Sequence, residues 1–273
     1  MVVNESRFRT ERFPMAFRAL EVLRVERVTP KMVRVTFGGD GLTGFQSLSP
    51  DDHLKVIFPT DVDAKPVLPE MTEKGWNYPE GAARPVMRDY TPRRFDSDAG
   101  ELDIDFFIHG EGPASSWASQ AKVGQFIGTA GPRGSHIVNY DFDWYLFCGD
   151  ETSIPSIARR LSELPAGVRA FTFIEVANHQ EEQLLPTAAN ATLAWILRDE
   201  AGPGEENLIQ RALQWFEFPA GEGYTWATGE ANSLRSLRRY LLNERGLSKE
   251  YTSFSGHWKK GTADFDHHEE IGD

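Results

Sequence analysis

Four consecutive side chains in this sequence combine a cation, an aromatic ring and a hydroxyl within a short reach: Arg88-Asp89-Tyr90-Thr91. A guanidinium grips phosphate with two parallel N–H contacts. A tyrosine ring covers a flat heterocycle, and a threonine hydroxyl hydrogen-bonds near its edge. On a strand, Arg88 and Tyr90 project to one face. This combination suits a flavin nucleotide, with FAD the first choice. Pro92 and Arg93 complete the box. Taken alone, the box reads equally well as an exposed strand with a scattered Arg and Tyr.

A second segment supplies what the other end of such a ligand needs. His109-Gly110-Glu111-Gly112-Pro113-Ala114-Ser115-Ser116-Trp117-Ala118 follows a strand pattern and opens a helix. Proline fits the first helical position, with Gly112 as its cap. The amides of a helix N-terminus attract phosphate. Ala114, Ser115 and Ser116 leave those amides approachable, and the two hydroxyls add donors.

These segments need strands to hold them. Val22–Val25, Val33–Phe37, His53–Phe58, Leu102–His109 and Val123–Ala130 read as β, several with period-two alternation. Short strands broken by glycine predict a small closed antiparallel barrel. A long polar stretch rich in Pro and Gly lies between Pro59 and Pro85. After Tyr140–Asp143 the period changes. Trp144–Cys148 is a compact apolar strand. Ile154, Ile157, Ala158 and Leu161 then mark a helix face. Strands at Val168–Val176, Thr192–Leu197 and Tyr224–Ala227 alternate with a short helical piece near Gln180, a helix over Glu205–Trp215, and one carrying Leu234, Leu237 and Leu241 that Gly246 caps. This alternation predicts a doubly wound parallel sheet. The predicted organisation is an antiparallel β-barrel flavin domain over 16–140, an α/β nicotinamide-binding domain over 141–261 and an acidic tail over 262–273.

The nicotinamide site is the less marked of the two. Gly149-Asp150-Glu151-Thr152-Ser153 sits between a strand and a helix but lacks the full Gly-x-Gly-x-x-Gly fingerprint. Asp150 and Glu151 would repel a pyrophosphate if they pointed inward, whereas Thr152 and Ser153 can donate to it. Gly229-Glu230-Ala231 is the second candidate edge. Arg198 is a candidate for a 2′-phosphate, and equally an ordinary surface arginine.

Bulk properties exclude several classes. With 41 acidic against 29 basic residues the net charge is −12, which argues against nucleic acid or an anionic membrane as partner. No run reaches the roughly 18 apolar residues of a membrane helix, and the first residues lack a signal-peptide pattern. The one cysteine, Cys148, makes no internal disulfide and cannot ligate an iron–sulfur cluster through four thiolates. A cytoplasmic protein with no stable membrane insertion is expected. His267 and His268 stand in the acidic tail, which reads as disordered rather than as a metal site.

The ordered set of motifs resembles the siderophore-interacting proteins, flavin-dependent ferric-siderophore reductases of the ferredoxin-reductase superfamily. The matching residues include Asp52-His53-Leu54-Lys55, Arg88–Arg93, Asp105–Gly110, Gly112–Ser115, Gly131-Pro132-Arg133-Gly134-Ser135, Gly149–Thr152, Pro155–Arg159, Ile174-Glu175-Val176, Trp195, Gly229–Ala231 and Gly256-His257-Trp258-Lys259-Lys260-Gly261. The resemblance implies FAD held by Arg88, Tyr90, Thr91 and the Ala114–Ser116 turn, with Asp105, Phe107 and His109 beside it. It implies NADPH or NADH on the second domain, with a protein electron donor as the alternative; Trp258 either covers the flavin or the nicotinamide or simply packs. It implies a ferric siderophore as substrate, bound by Lys55, Arg93 and Arg133 near the flavin mouth and by Lys259 and Lys260 from the second domain. Lys55 has no evident packing role in its strand. Electrons would pass from NAD(P)H through FAD to Fe(III), releasing Fe(II). No catalytic side chain and no protein-held metal are expected, because the cofactor does the chemistry. The competing readings are a general NAD(P)H:flavin reductase or electron-transfer component serving another enzyme, and a siderophore-binding protein without activity.

Overall fold

The computed structural model describes residues 7–73, 75–199, 202–204 and 207–262, with Phe265 and Ile271. The chain divides into two compact units, Met1–Val138 and Asn139–Asp273.

The first unit is antiparallel. Its strands are β1 (Phe8–Arg12), β2 (Phe17–Thr29), β3 (Met32–Gly38), β4 (Leu54–Ile57), β5 (Glu70–Thr72), β6 (Gly75–Asn77), β7 (Met87–Tyr90), β8 (Arg94–Asp96), β9 (Glu101–Phe107), β10 (Phe126–Ala130) and β11 (Gly134–Val138), with helix α1 (Pro113–Gln120) between β9 and β10. Seven strands form one curled sheet in the order β7-β4-β10-β2-β3-β9-β8. The closed barrel expected from the sequence is thus a half-barrel whose sheet starts at β7 and ends at β8. Pro92 stands between those two strands, and a proline has no amide to donate to a ladder. The seam therefore falls inside the Arg88–Arg93 box.

Alternation along the strands puts Leu20, Val22, Val35, Phe37, Leu54, Val56, Leu102, Ile104 and Phe106 in one buried cluster with Trp117 and Ala118 of α1. The polar Pro59–Pro85 stretch is not structureless. It carries the β5–β6 hairpin, and its Lys65 ammonium lies 4.7 Å from the Phe126 ring centroid.

The second unit holds β12 (Trp144–Gly149), α2 (Ile154–Glu163), β13 (Arg169–Val176), β14 (Asn190–Leu197), α3 (Leu208–Leu213), β15 (Gly223–Glu230), α4 (Ala231–Arg239) and β16 (Thr252–Trp258). They build a five-stranded parallel sheet in the order β14-β13-β12-β15-β16. Strand β12 is buried along its whole length, as a central parallel strand must be. The helix expected over Glu205–Trp215 is shorter. It begins at Leu208 behind Asn207 in a left-handed conformation, φ 48°, which an α-helix does not continue through. Glu205 and Glu206 lie outside the described residues, as does most of the acidic tail with His267 and His268.

Candidate functional site

In the first unit the site is assembled around the seam. Strand β7 is half-buried throughout and pairs with β4 in the register Leu54↔Tyr90, Lys55↔Asp89, Val56↔Arg88. Alternation puts Arg88 and Tyr90 on the face shared with Leu54 and Val56, and Lys55 and Asp89 on the opposite face. The Tyr90 ring lies 4.5 Å from that of Phe106, which in turn packs against Trp117. Burial pushes the Tyr90 phenol well above its ordinary pKa. Arg88 donates to the carbonyl of Met87 at 2.6 Å, and Thr91 follows half-buried.

Lys55 has a partner that the sequence did not reveal. Its ammonium meets both carboxylate oxygens of Asp89, each at 3.0 Å, while the lysine side chain remains 42% exposed. Arg93 is largely buried, with Nε 3.8 Å from Asp105, and its backbone amide donates to the carbonyl of Asp103. Asp105 is 3% exposed and accepts two bonds from Arg34, at 2.7 and 2.8 Å. Two residues earlier on the same strand, Asp103 accepts from Thr36 and from Arg94, both at 2.7 Å. The two aspartates of β9 thus order Arg34, Arg93 and Arg94 beside the seam. These bonds raise the pKa of Arg34 and Arg94. Arg34 was not among the sequence candidates. Its signal was Asp105, an acidic residue on the strand that pairs with its own.

The loop into α1 is closed by Ser115. Its buried hydroxyl donates to the carbonyl of His109 and accepts from the amide of the same residue, both at 3.0 Å. That hydroxyl therefore braces the loop. The first intrahelical bond runs from the amide of Ser116 to Gly112, so the amides of Ala114 and Ser115 precede it and point out of the helix start. Ser116 is exposed. The imidazole of His109 stacks on Phe107 with 5.9 Å between centroids. The half-barrel thus offers, within one unit, an aromatic ring, a guanidinium and a helix N-terminus of free direction. This donor set fits FAD: rings beside the heterocycle, Arg88 and the helix amides for phosphate. Arg133 is exposed in the turn between β10 and β11. The following Gly134 has no room for a side chain, since a Cβ there would lie 2.4 Å from the carbonyl oxygen of Glu11.

In the second unit the candidate residues collect at the C-terminal ends of β12 and β15. Asp150 organises them. Its carboxylate accepts from the amide and hydroxyl of Thr152 (2.9 and 2.6 Å), the amide of Glu230 (3.1 Å) and the indole Nε1 of Trp258 (2.8 Å). Gly229, at φ 132°, is required here: a Cβ would meet the Asp150 carboxylate at 2.7 Å. Glu230 caps α4 by accepting from the amide of Ser233 at 2.7 Å, and takes a further bond from the amide of Lys260. Ser153 is fully buried, so its hydroxyl faces no solvent. Lys260 is exposed and Lys259 half-buried.

Glu151 does not point at a ligand either. It is buried against Arg198, which donates to it at 2.8 and 2.5 Å and to Glu175 at 3.2 Å. Arg198 is 7% exposed, which corrects both sequence readings of it: it is neither a surface charge nor a guanidinium awaiting phosphate. Asp150, Glu175, Thr228 and Glu230 line a crevice with Asn207 and Gln210. Among the described residues no helix is long and apolar enough to cross a membrane.

Comparison with known proteins gives the same division. Residues 21–136 match the siderophore-interacting FAD-binding domain, and residues 142–261 the siderophore-interacting protein domain. The half-barrel is therefore an FAD-binding domain. An NADPH-dependent ferric-chelate reductase of Escherichia coli K12 is 38% identical over 86% of this chain and 93% of its own length. The ferric vibriobactin reductase ViuB of Vibrio cholerae is 30% identical over 93% of each chain. The crystal structure of a siderophore utilization protein from T. fusca superposes with a TM-score of 0.88 at 40% identity, over 96% of this chain and 99% of that one. From the flavin box at its seam to the Trp-Lys-Lys-Gly run near its end, this chain belongs to the siderophore-interacting protein family.

Proposed function

We propose that this protein reduces ferric siderophores, taking electrons from NADPH or NADH through FAD and releasing Fe(II). The observation that carries the reading is the half-barrel seam. A guanidinium, an aromatic ring and a helix N-terminus meet the needs of FAD there, inside the stretch matched to a siderophore-interacting FAD-binding domain. Relatives named as reductases of ferric chelates support the substrate class.

Bound FAD supplies the conversion of a two-electron hydride donor into single electrons for iron. The protein contributes binding and orientation. Arg88 and the amides of Ala114 and Ser115 hold phosphate, with Ser115 bracing the loop that presents them. Tyr90, packed on Phe106, and Thr91 flank the ring system. Asp105 acts through Arg34 and Arg93 rather than on the cofactor. In the first unit Lys55, Arg93 and Arg133 supply positive charge for an anionic iron chelate on an otherwise acidic protein, and in the second unit Lys259 and Lys260 carry the same sign of charge. That charge is local, since the net charge of −12 disfavours long-range steering. Residues 16–140 serve the flavin and 141–261 the nicotinamide, and a cytoplasmic location fits this electron source.

The test is direct. The purified protein should carry yellow flavin, and NADPH or NADH with a ferric siderophore should yield Fe(II) in a chelating trap above the enzyme-free rate. Reduction of free flavin with no Fe(II) above that control would instead support the general flavin reductase. A preparation that binds no flavin would sink both.

A further inference from the structure

We infer that Glu175 is a specificity-determining residue: it makes the crevice at the end of the parallel sheet a site for the ribose hydroxyls of a nicotinamide nucleotide, without selection for a 2′-phosphate. The inference rests on the nicotinamide half of the proposed function. The strand order β14-β13-β12-β15-β16 reverses direction at β12, where the chain first builds outward through β13 and β14 and then returns to β15. In open α/β sheets ligands bind beyond the strand ends at this switch point. The crevice lined by Asp150, Thr228 and Glu230 lies there, with Glu175 reaching it from the end of β13. Thr228 is 1% exposed, and its Oγ1 has no hydrogen-bond partner among the described residues.

In dinucleotide-binding sheets a carboxylate at the end of the second strand accepts from the ribose diol, while a nearby arginine serves a 2′-phosphate. Here β13 is the second strand and Glu175 occupies that end. The nearby arginine, Arg198, is buried and shared between Glu151 and Glu175. Two carboxylates on one guanidinium leave the group net negative, and Asp150 and Glu230 add to it on the crevice wall. Asp150 and Glu151 both oppose negative charge at Glu175, and they oppose a further anion beside it in the same way. A hydroxyl pair donates to such a wall, whereas a phosphate dianion is repelled by it. NADH should therefore serve as well as NADPH.

Two probes that differ only in the 2′-phosphate isolate the effect: 5′-AMP and adenosine 2′,5′-bisphosphate, titrated calorimetrically into the flavin-loaded protein. The wild type should bind 5′-AMP at least as tightly as the bisphosphate, and Glu175→Gln should shift the ratio toward the bisphosphate by about tenfold, the scale of one screened charge–charge contact. Glu175→Asp, which keeps the charge, should retain the wild-type ratio. The kcat/KM ratio of NADPH to NADH should move in parallel. A wild type that favours the bisphosphate more than about tenfold, or a ratio that Glu175→Gln leaves unmoved, overturns the inference, as does failure of both probes to bind. If the ratios behave as expected while neither nicotinamide yields Fe(II), the functional reading fails and the assignment of the crevice stands.

Discussion

The indole Nε1 of Trp258 donates to Oδ2 of Asp150 at 2.8 Å, joining the last strand of the parallel sheet to the turn after its first. The same oxygen accepts from the amide of Glu230, and the other oxygen from Thr152. An acidic residue where dinucleotide sites usually carry glycine is thereby absorbed into the scaffold, and it ties the ends of β12, β15 and β16 together.

Trp258→Phe removes one bond of that set and should cost about 1 kcal/mol of unfolding free energy. Asp150→Ala leaves the Thr152 and Glu230 amides without their acceptor and should cost about 3 kcal/mol. Urea denaturation of both variants measures the difference. Equal losses would mean that Asp150 contributes only through the indole.

Lys55 and Asp89 form a half-exposed pair across β4 and β7. Such pairs contribute about 0–1 kcal/mol, so neither Lys55→Ala nor Asp89→Asn should change the melting temperature much. Their effects on substrate should be opposite in sign. Lys55→Ala should raise KM for an anionic ferric chelate about fivefold with flavin retained, and Asp89→Asn, which frees the ammonium, should lower it. Steady-state kinetics at low ionic strength decides, and movement in the same direction would show that the pair acts through strand packing.

Ser115 and Ser116 are adjacent hydroxyls with different surroundings. Ser115 is buried between the amide and carbonyl of His109, and Ser116 is exposed. Ser115→Ala should cost about 1–3 kcal/mol and lower flavin occupancy, because the His109 groups lose a buried partner. Ser116→Ala should change stability by less than about 0.5 kcal/mol. Flavin absorbance per protein and a thermal melt read both quantities from one sample.

Glu175 should leave a pH signature in stability. Burial raises its folded-state pKa above the unfolded value, despite the opposing pull of Arg198. The stability associated with its protonated form is fully present below the unfolded pKa and is lost as pH rises through the folded one. Glu175→Gln does not titrate. Its melting temperature relative to wild type should therefore climb as pH rises above the unfolded carboxyl value of about 4.3. A difference independent of pH would mean that the carboxyl titrates alike in both states.

The sequence by itself determined the two fold classes, because they depend on local periodicity: alternation in Leu102–Phe107, and the i, i+3, i+4, i+7 spacing of Ile154, Ile157, Ala158 and Leu161. The flavin box and the helix cap at Gly112-Pro113 were legible for the same reason, since each is a short segment whose chemistry and backbone preference coincide. The tertiary structure alone decided what each charge does. Lys55 finds Asp89, Arg34 finds Asp105, and Arg198 disappears between Glu151 and Glu175, in every case across strands distant in sequence. It also decided that the first sheet stays open between its end strands β7 and β8. A side chain's type sets which contacts it can make. Strand register and burial set which contact it does make, and these emerge only when distant segments pack.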